Sequence, residues 1–177
     1  MSTQATHKYN NVAVLLHWLV AMLIIGLLIV GWLMTDLEKG TALRKQVYNW
    51  HKSFGLIVLI LVLARIYWRL RSRIPEPLEK NPYLVWLAHI AHLLIYLLIA
   101  FVPLIALAAG SFNRGFDFFV WHWEPLFAID TERAHTLMYW HGLAAYVLAG
   151  FVGFHVLAAL WHQFIRRDHI FKRIWFG

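Results

Sequence analysis

VAVLLHWLVAMLIIGLLIVGWLM, residues 12–34, runs for twenty-three positions without an acid, a lysine or an arginine. As a helix it would be about 35 Å long, enough to cross the roughly 30 Å of hydrocarbon in a bilayer. Thr35-Asp36 and then Glu38-Lys39-Gly40-Thr41 end it with polar and turn-forming residues. Being apolar on every side, it reads as a transmembrane helix and not as a face of a soluble core. Three further runs of similar length follow at about 48–70, 84–109 and 136–164. Of 177 residues, 61% are hydrophobic and only 14% charged, well outside the balance of a soluble domain. The expected fold class is an all-α membrane protein, a four-helix transmembrane bundle forming one domain over residues 1–177.

Lysine and arginine orient the bundle. Lys8, the link with Arg65, Arg69, Arg71, Arg73 and Lys80, and the tail with Arg166, Arg167, Lys172 and Arg173 hold ten of the sixteen basic residues. The opposite side holds six, balanced by Asp36, Glu38, Asp117, Glu124, Asp130 and Glu132, so the net +7 lies on the first side. The positive-inside rule then places both termini in the cytoplasm. That placement also explains the basic excess without nucleic acid and makes membrane lipid the expected surroundings. No charged start with a short apolar run and a small-residue cleavage site is present, so the first span is expected to be retained. Pro75, Pro77 and Pro82 make the link between the second and third spans an extended connector. The link 111–135, with Phe112, Phe116, Phe118, Phe119, Trp121 and Trp123, is expected at the outer interface, where a short amphipathic helix would suit it.

Histidine carries the chemistry. Of eleven, His17, His51, His89, His92, His141, His155 and His162 fall within the four spans, where ionisable groups are costly and usually functional. His141 and His155 are fourteen residues apart, nearly four turns, so they share a helix face about 21 Å apart, and His162 extends that stripe. Antiparallel threading brings His17 level with His155 near the inner face and His51 level with His141 near the outer face. Two imidazoles facing each other across a plane suit a six-coordinate haem iron restricted to electron transfer. Gly55, one turn after His51, leaves space for a porphyrin edge, and Arg65, Arg69 and Lys52 are candidate partners for haem propionates. His89 and His92 lie level with the inner pair and are alternative ligands.

Other patterns take plainer readings. The absence of cysteine excludes disulfides, iron-sulfur clusters and covalently attached haem. Without a carboxylate in the spans, a metal transport site lacks its usual ligands. Trp18, Trp32, Trp50, Trp68, Trp86, Trp140, Trp161 and Trp175 sit near helix ends as interface anchors, and Gly26 and Gly31 read as helix-packing positions. His7, His122, His135 and His169 are expected to be solvated.

Several stretches together resemble the bacterial cytochrome b-561 family of di-haem membrane proteins. They are Leu16-His17-Trp18-Leu19, His51-Lys52-Ser53-Phe54-Gly55 with Arg65 and Arg69, and Leu87-Ala88-His89-Ile90-Ala91-His92 with Tyr96. Asn113-Arg114-Gly115, Trp140-His141, His155, and His162 ahead of Asp168 and Arg173 follow in order, so the resemblance covers nearly the whole chain. The resemblance implies two haem b groups, one between His17 and His155 and one between His51 and His141. It also implies an oxidoreductase of the superoxide oxidase type, taking electrons from superoxide outside and passing them to ubiquinone. In that role Lys52, with Lys39, Arg44 and Lys45, would attract the anion, although the outer acids give this surface mixed sign. Quinone reduction needs protons and hydrogen-bond donors near the inner haem, which His162, His89, His92, Arg69 and Arg166 are placed to supply. The same family shades into cytochrome b anchor subunits for a hydrogenase or dehydrogenase, and into quinol oxidases feeding a periplasmic acceptor.

Overall fold

The computed structural model describes residues 8–176. His7 lies outside the described residues. Four long helices make the bundle: α1 (Asn11–Leu33), α2 (Ala42–Arg71), α3 (Pro82–Ser111) and α4 (Thr131–Leu160). All four are long and apolar enough to cross a membrane.

The helices start earlier than their apolar runs because side chains cap them. Asn10, Thr41, Asn81 and Asp130 each accept a hydrogen bond from a backbone N–H of the first turn. Pro82 adds the fixed φ that suits a first helical position. Thr41 thus starts α2 six residues before position 48, and Asp130 starts α4 five before 136. The apolar runs mark the hydrocarbon, whereas the caps mark where the backbone begins to coil. At its far end α4 gives way to a π-helical turn, Trp161–Arg166, so the stripe expected to continue to His162 loses its 3.6-residue register there.

In the packing, α3 lies mainly against α4, α1 against α2, and α2 against α3. Val20, Ile24, Val58, Leu59, Val62, Ile99 and Leu148 form one apolar cluster in mid-bundle. Large apolar residues such as Met22, Ile60, Leu97 and Phe154 face outward, as lipid-facing positions do. The histidine groups lie to either side of this cluster along α4.

The link between α3 and α4 corrects one expectation. It contains no amphipathic helix but a two-stranded antiparallel hairpin, β1 (Phe116–Phe118) and β2 (Trp121–Trp123), with Phe116 opposite Trp123 and Phe118 opposite Trp121. Aromatic residues alternate with polar ones at a period of two, which is a strand pattern. Both cross-strand aromatic pairs stack. Gly115, at φ +76°, is required just before β1, since a Cβ there would meet the Trp123 carbonyl oxygen at 1.9 Å. So short a hairpin is not stable alone, and α2 holds it. Asn49 Nδ2 donates to the Phe119 carbonyl at 2.7 Å, the Phe119 N–H donates to Ser53 Oγ at 2.7 Å, and Lys52 pairs with Asp117 at 2.8 Å. Residues on both sides of His51 therefore hold the hairpin over the end of the bundle where α2 begins.

Candidate functional site

Tertiary packing brings the span histidines together in two groups. At one end of the bundle His51 of α2 faces His141 of α4, ring centres 6.4 Å apart and planes at 80°. At the other end His17 of α1 faces His155 of α4, also at 6.4 Å, with planes at 68°. With metal–nitrogen bonds of about 2 Å and ring centres about 1.1 Å beyond each nitrogen, two axial imidazoles on one iron stand about 6.3 Å apart. Both pairs have that separation. His92 of α3 also reaches His155, but at 5.2 Å, about 1 Å too close for the two to flank an iron. His89, three residues earlier, is exposed and does not join the group.

Ring orientation is set by backbone carbonyls. His141 Nδ1 lies 2.9 Å from the carbonyl oxygen of Val102, and His92 Nδ1 lies 2.7 Å from that of Ala88. A carbonyl only accepts, so in each ring Nδ1 carries a proton, and in the neutral imidazole Nε2 is the nitrogen that keeps its lone pair. Val102 immediately precedes Pro103 within α3. Near the group of His17 and His155, Arg65 Nε donates to Tyr96 Oη at 2.8 Å, and its guanidinium carbon stands 5.7 Å from the Tyr96 ring centre. Arg65 Nη1 is buried and finds no hydrogen-bond partner among the described residues, and neither does His51 Nδ1.

A family model described as prokaryotic cytochrome b561 matches residues 8–177. The chain belongs to the prokaryotic cytochrome b561 family. It is 33% identical to "Probable superoxide oxidase CybB" of Yersinia pestis over 94% of this chain and 95% of that protein. Its identity to "Cytochrome b561 homolog 2" of Escherichia coli (strain K12) is 27%, covering 97% and 93% of the two chains. To "Cytochrome b561 homolog 1" of the same strain it is 21% identical, covering 95% and 97%. Membership makes this a multi-pass membrane protein of transmembrane electron transfer and implies b-type haem.

The residues present fit that group. Two imidazole pairs have the separation that one iron between them would need, His141 Nε2 is not the nitrogen bonded to Val102, and the unpartnered Arg65 Nη1 suits a propionate carboxylate. A Cβ built at Gly55 meets no atom within 4 Å, consistent with room beside His51. Gly31, read from the sequence only as a packing position, has a closer role in this cytochrome b561. A Cβ there would lie 3.0 Å from His51 Cε1, so the missing side chain lets the imidazole lie against α1. Its signal was available: Gly31 is fourteen residues from His17, the same spacing that separates His141 from His155.

Other predicted site residues have partners of their own. Lys52 is paired with Asp117, which also receives His122 Nδ1 at 2.8 Å, so His122 is part of the hairpin's polar contacts and not simply solvated. Those contacts, Lys52 first and His122 second, hold the Asp117 carboxyl below its ordinary value. Arg166 forms an ion pair with Glu79 of the proline-rich link. The backbone N–H of Asn81 and then Arg166 lower the Glu79 carboxyl to about 2. Arg69 lies within electrostatic reach of His92. His162 Nδ1 lies 2.5 Å from Asp168 Oδ2. His135 and His169 are exposed, as expected.

Proposed function

We propose that this protein is a di-haem superoxide:ubiquinone oxidoreductase of the bacterial inner membrane, with both termini cytoplasmic. His51 and His141 would hold the outer haem iron, and His17 and His155 the inner one. The observation that carries the reading is the pair of 6.4 Å imidazole separations at two depths along α4. Haem b, when bound, supplies reversible one-electron transfer.

The chain's own groups have distinct tasks in the overall conversion of two superoxide and one quinone, with two protons, into two dioxygen and one quinol. The Val102 carbonyl fixes the proton on His141 Nδ1, and Arg65 offers a buried, unpartnered Nη1 to which a propionate would bond. At the outer face Lys52 keeps an ammonium group beside His51, although its pairing with Asp117 reduces its pull on a free anion. At the inner face His162 Nδ1 is hydrogen-bonded to Asp168 Oδ2, within the region that must supply protons to a reduced quinone. His92 is a further hydrogen-bonding group there, with His89, Arg69 and Arg166 more peripheral. The printed name of the Yersinia pestis relative supports superoxide as the donor.

A reduced-minus-oxidised absorption spectrum with haem counted per chain tests the first half, and two b-type haems are expected. A stopped-flow superoxide pulse, with and without ubiquinone, tests the second. Haem reduction by the pulse and quinone-dependent reoxidation are expected; a chain with one haem, or no response to superoxide, would overturn the reading.

A further inference from the structure

At the end of the bundle where α1 begins, the segment after α4 folds back over the first helix. The Tyr9 N–H donates to the Arg173 carbonyl at 3.1 Å, and Trp18 Nε1–H donates to the Ile174 carbonyl at 2.8 Å. The Trp18 and Trp175 rings meet edge to face at 6.3 Å. A single 3-10 turn, Ile170–Arg173, shapes the returning segment. These contacts bring the start of the described chain beside its end, where Lys8, Phe171, Lys172 and Trp175 line an open, surface-facing cavity of about 210 Å³.

The cavity's size and lining limit its occupant. It would hold roughly seven waters at about 30 Å³ each, and falls below the ~300 Å³ at which drug-sized ligands are enclosed. A macrocycle is excluded. Two ammonium groups recognise a phosphate as point charges, and two aromatic rings give an apolar wall of the kind found at membrane interfaces. Its level fits as well, since Lys8 lies three residues before Asn11, the first residue of the first span. Trp175 is 64% exposed and Phe176 49%, so exposed apolar surface adjoins the cavity. A free phosphate has no use for that surface; a lipid does.

We propose that this cavity binds the phosphodiester headgroup of an anionic phospholipid in the leaflet on this side. Lys8 and Lys172 take the phosphate, while Phe171 and Trp175 pack against the glycerol and the upper acyl chain. The bound lipid would also pin the returning segment to α1. The site is separate from both histidine groups and does not depend on the redox chemistry assigned to them.

The test uses the haem-loaded full chain in micelles, titrated with dioleoylphosphatidylglycerol or dioleoylphosphatidylcholine and read as lipid retained per chain by native mass spectrometry. Phosphatidylglycerol is expected to be retained over phosphatidylcholine. In the double variant Lys8→Gln/Lys172→Gln its affinity should fall about 30-fold, at the usual strength of two lysines near an anionic surface. Lys39→Gln/Lys45→Gln removes the same charge from the other side and should change retention less than about twofold. Each variant's helical circular dichroism and haem spectrum establish that it is folded, the substituted lysines being exposed. Equal retention of the two lipids, or equal losses in the two double variants, would overturn the site. So would displacement of phosphatidylglycerol by inorganic phosphate at the same concentration, which would show a free-anion site.

Discussion

Gly31→Ala separates helix stability from haem geometry. A methyl group at Gly31 would sit 3.0 Å from His51 Cε1, 3.7 Å from Nδ1 and 3.9 Å from Nε2. Comfortable carbon contacts begin at about 3.5 Å, so the ring must yield by about half an ångström. Tilting it off its rotamer costs about 0.5–1.5 kcal/mol. Replacing glycine by alanine inside a helix returns about 0.8–1.0 kcal/mol. The two nearly cancel, so the thermal midpoint of the haem-free protein should move little. The strain falls on one ligand of one haem, so outer-haem affinity should fall about 2- to 10-fold, with its absorption and potential altered and the inner haem's unchanged. Haem titration and a spectroelectrochemical redox titration would measure both. Gly26→Ala is the control, since a Cβ there meets nothing within 4 Å. If Gly31→Ala leaves the outer haem unaltered, or Gly26→Ala disturbs it equally, the contact between α1 and His51 does not position the ligand.

Removing a ligand outright should act on one depth only. His141→Ala is expected to lose the outer haem and keep the inner one, and loss of the inner haem alone would reverse the pairing. His92→Phe should retain both haems in the difference spectrum, because 5.2 Å from His155 is too short for shared ligation; loss of the inner haem would make His92 the ligand in place of His17. For the hairpin, Ser53→Ala should loosen docking more than Lys52→Gln, as judged by hydrogen exchange at Phe119. Ser53 is fully buried and its loss strands the Phe119 N–H at about 1–3 kcal/mol, whereas the half-exposed ion pair is worth about 1 kcal/mol or less. Asp117 is lowered from its ordinary 3.8, so its contribution to that docking should be complete above that pH and disappear as the pH falls through its lower folded value. The same sign holds for Glu79, lowered to about 2 from 4.5: protection of the 76–82 link from exchange should persist until the pH approaches 2.

Much of the architecture is legible in the sequence because a bilayer penalises charge and unpaired backbone groups within the hydrocarbon. Four apolar stretches had to be helices, and antiparallel threading sufficed to level His17 with His155 and His51 with His141. The hairpin departs from the expected interfacial helix because its polar and aromatic composition suits both, and only the period-two alternation of Phe116 with Phe118 and of Trp121 with Trp123 marks it as strand. Its docking through Asn49, Lys52 and Ser53 joins positions some 65–70 apart in the chain, a separation over which local pattern carries no information.

The sequence by itself determined the membrane fold, the four spans and the depths of the histidines, since hydropathy and helical rise are local properties summed along the chain. Only the tertiary structure decided which imidazoles stand at ligand separation. It set His17 and His92 at 6.4 and 5.2 Å from the same His155, left His89 exposed and gave Lys52 to Asp117 and Arg166 to Glu79. Depth along a helix follows from counting residues. Facing across a bundle depends on how each helix is rotated about its axis, and packing between helices sets that rotation.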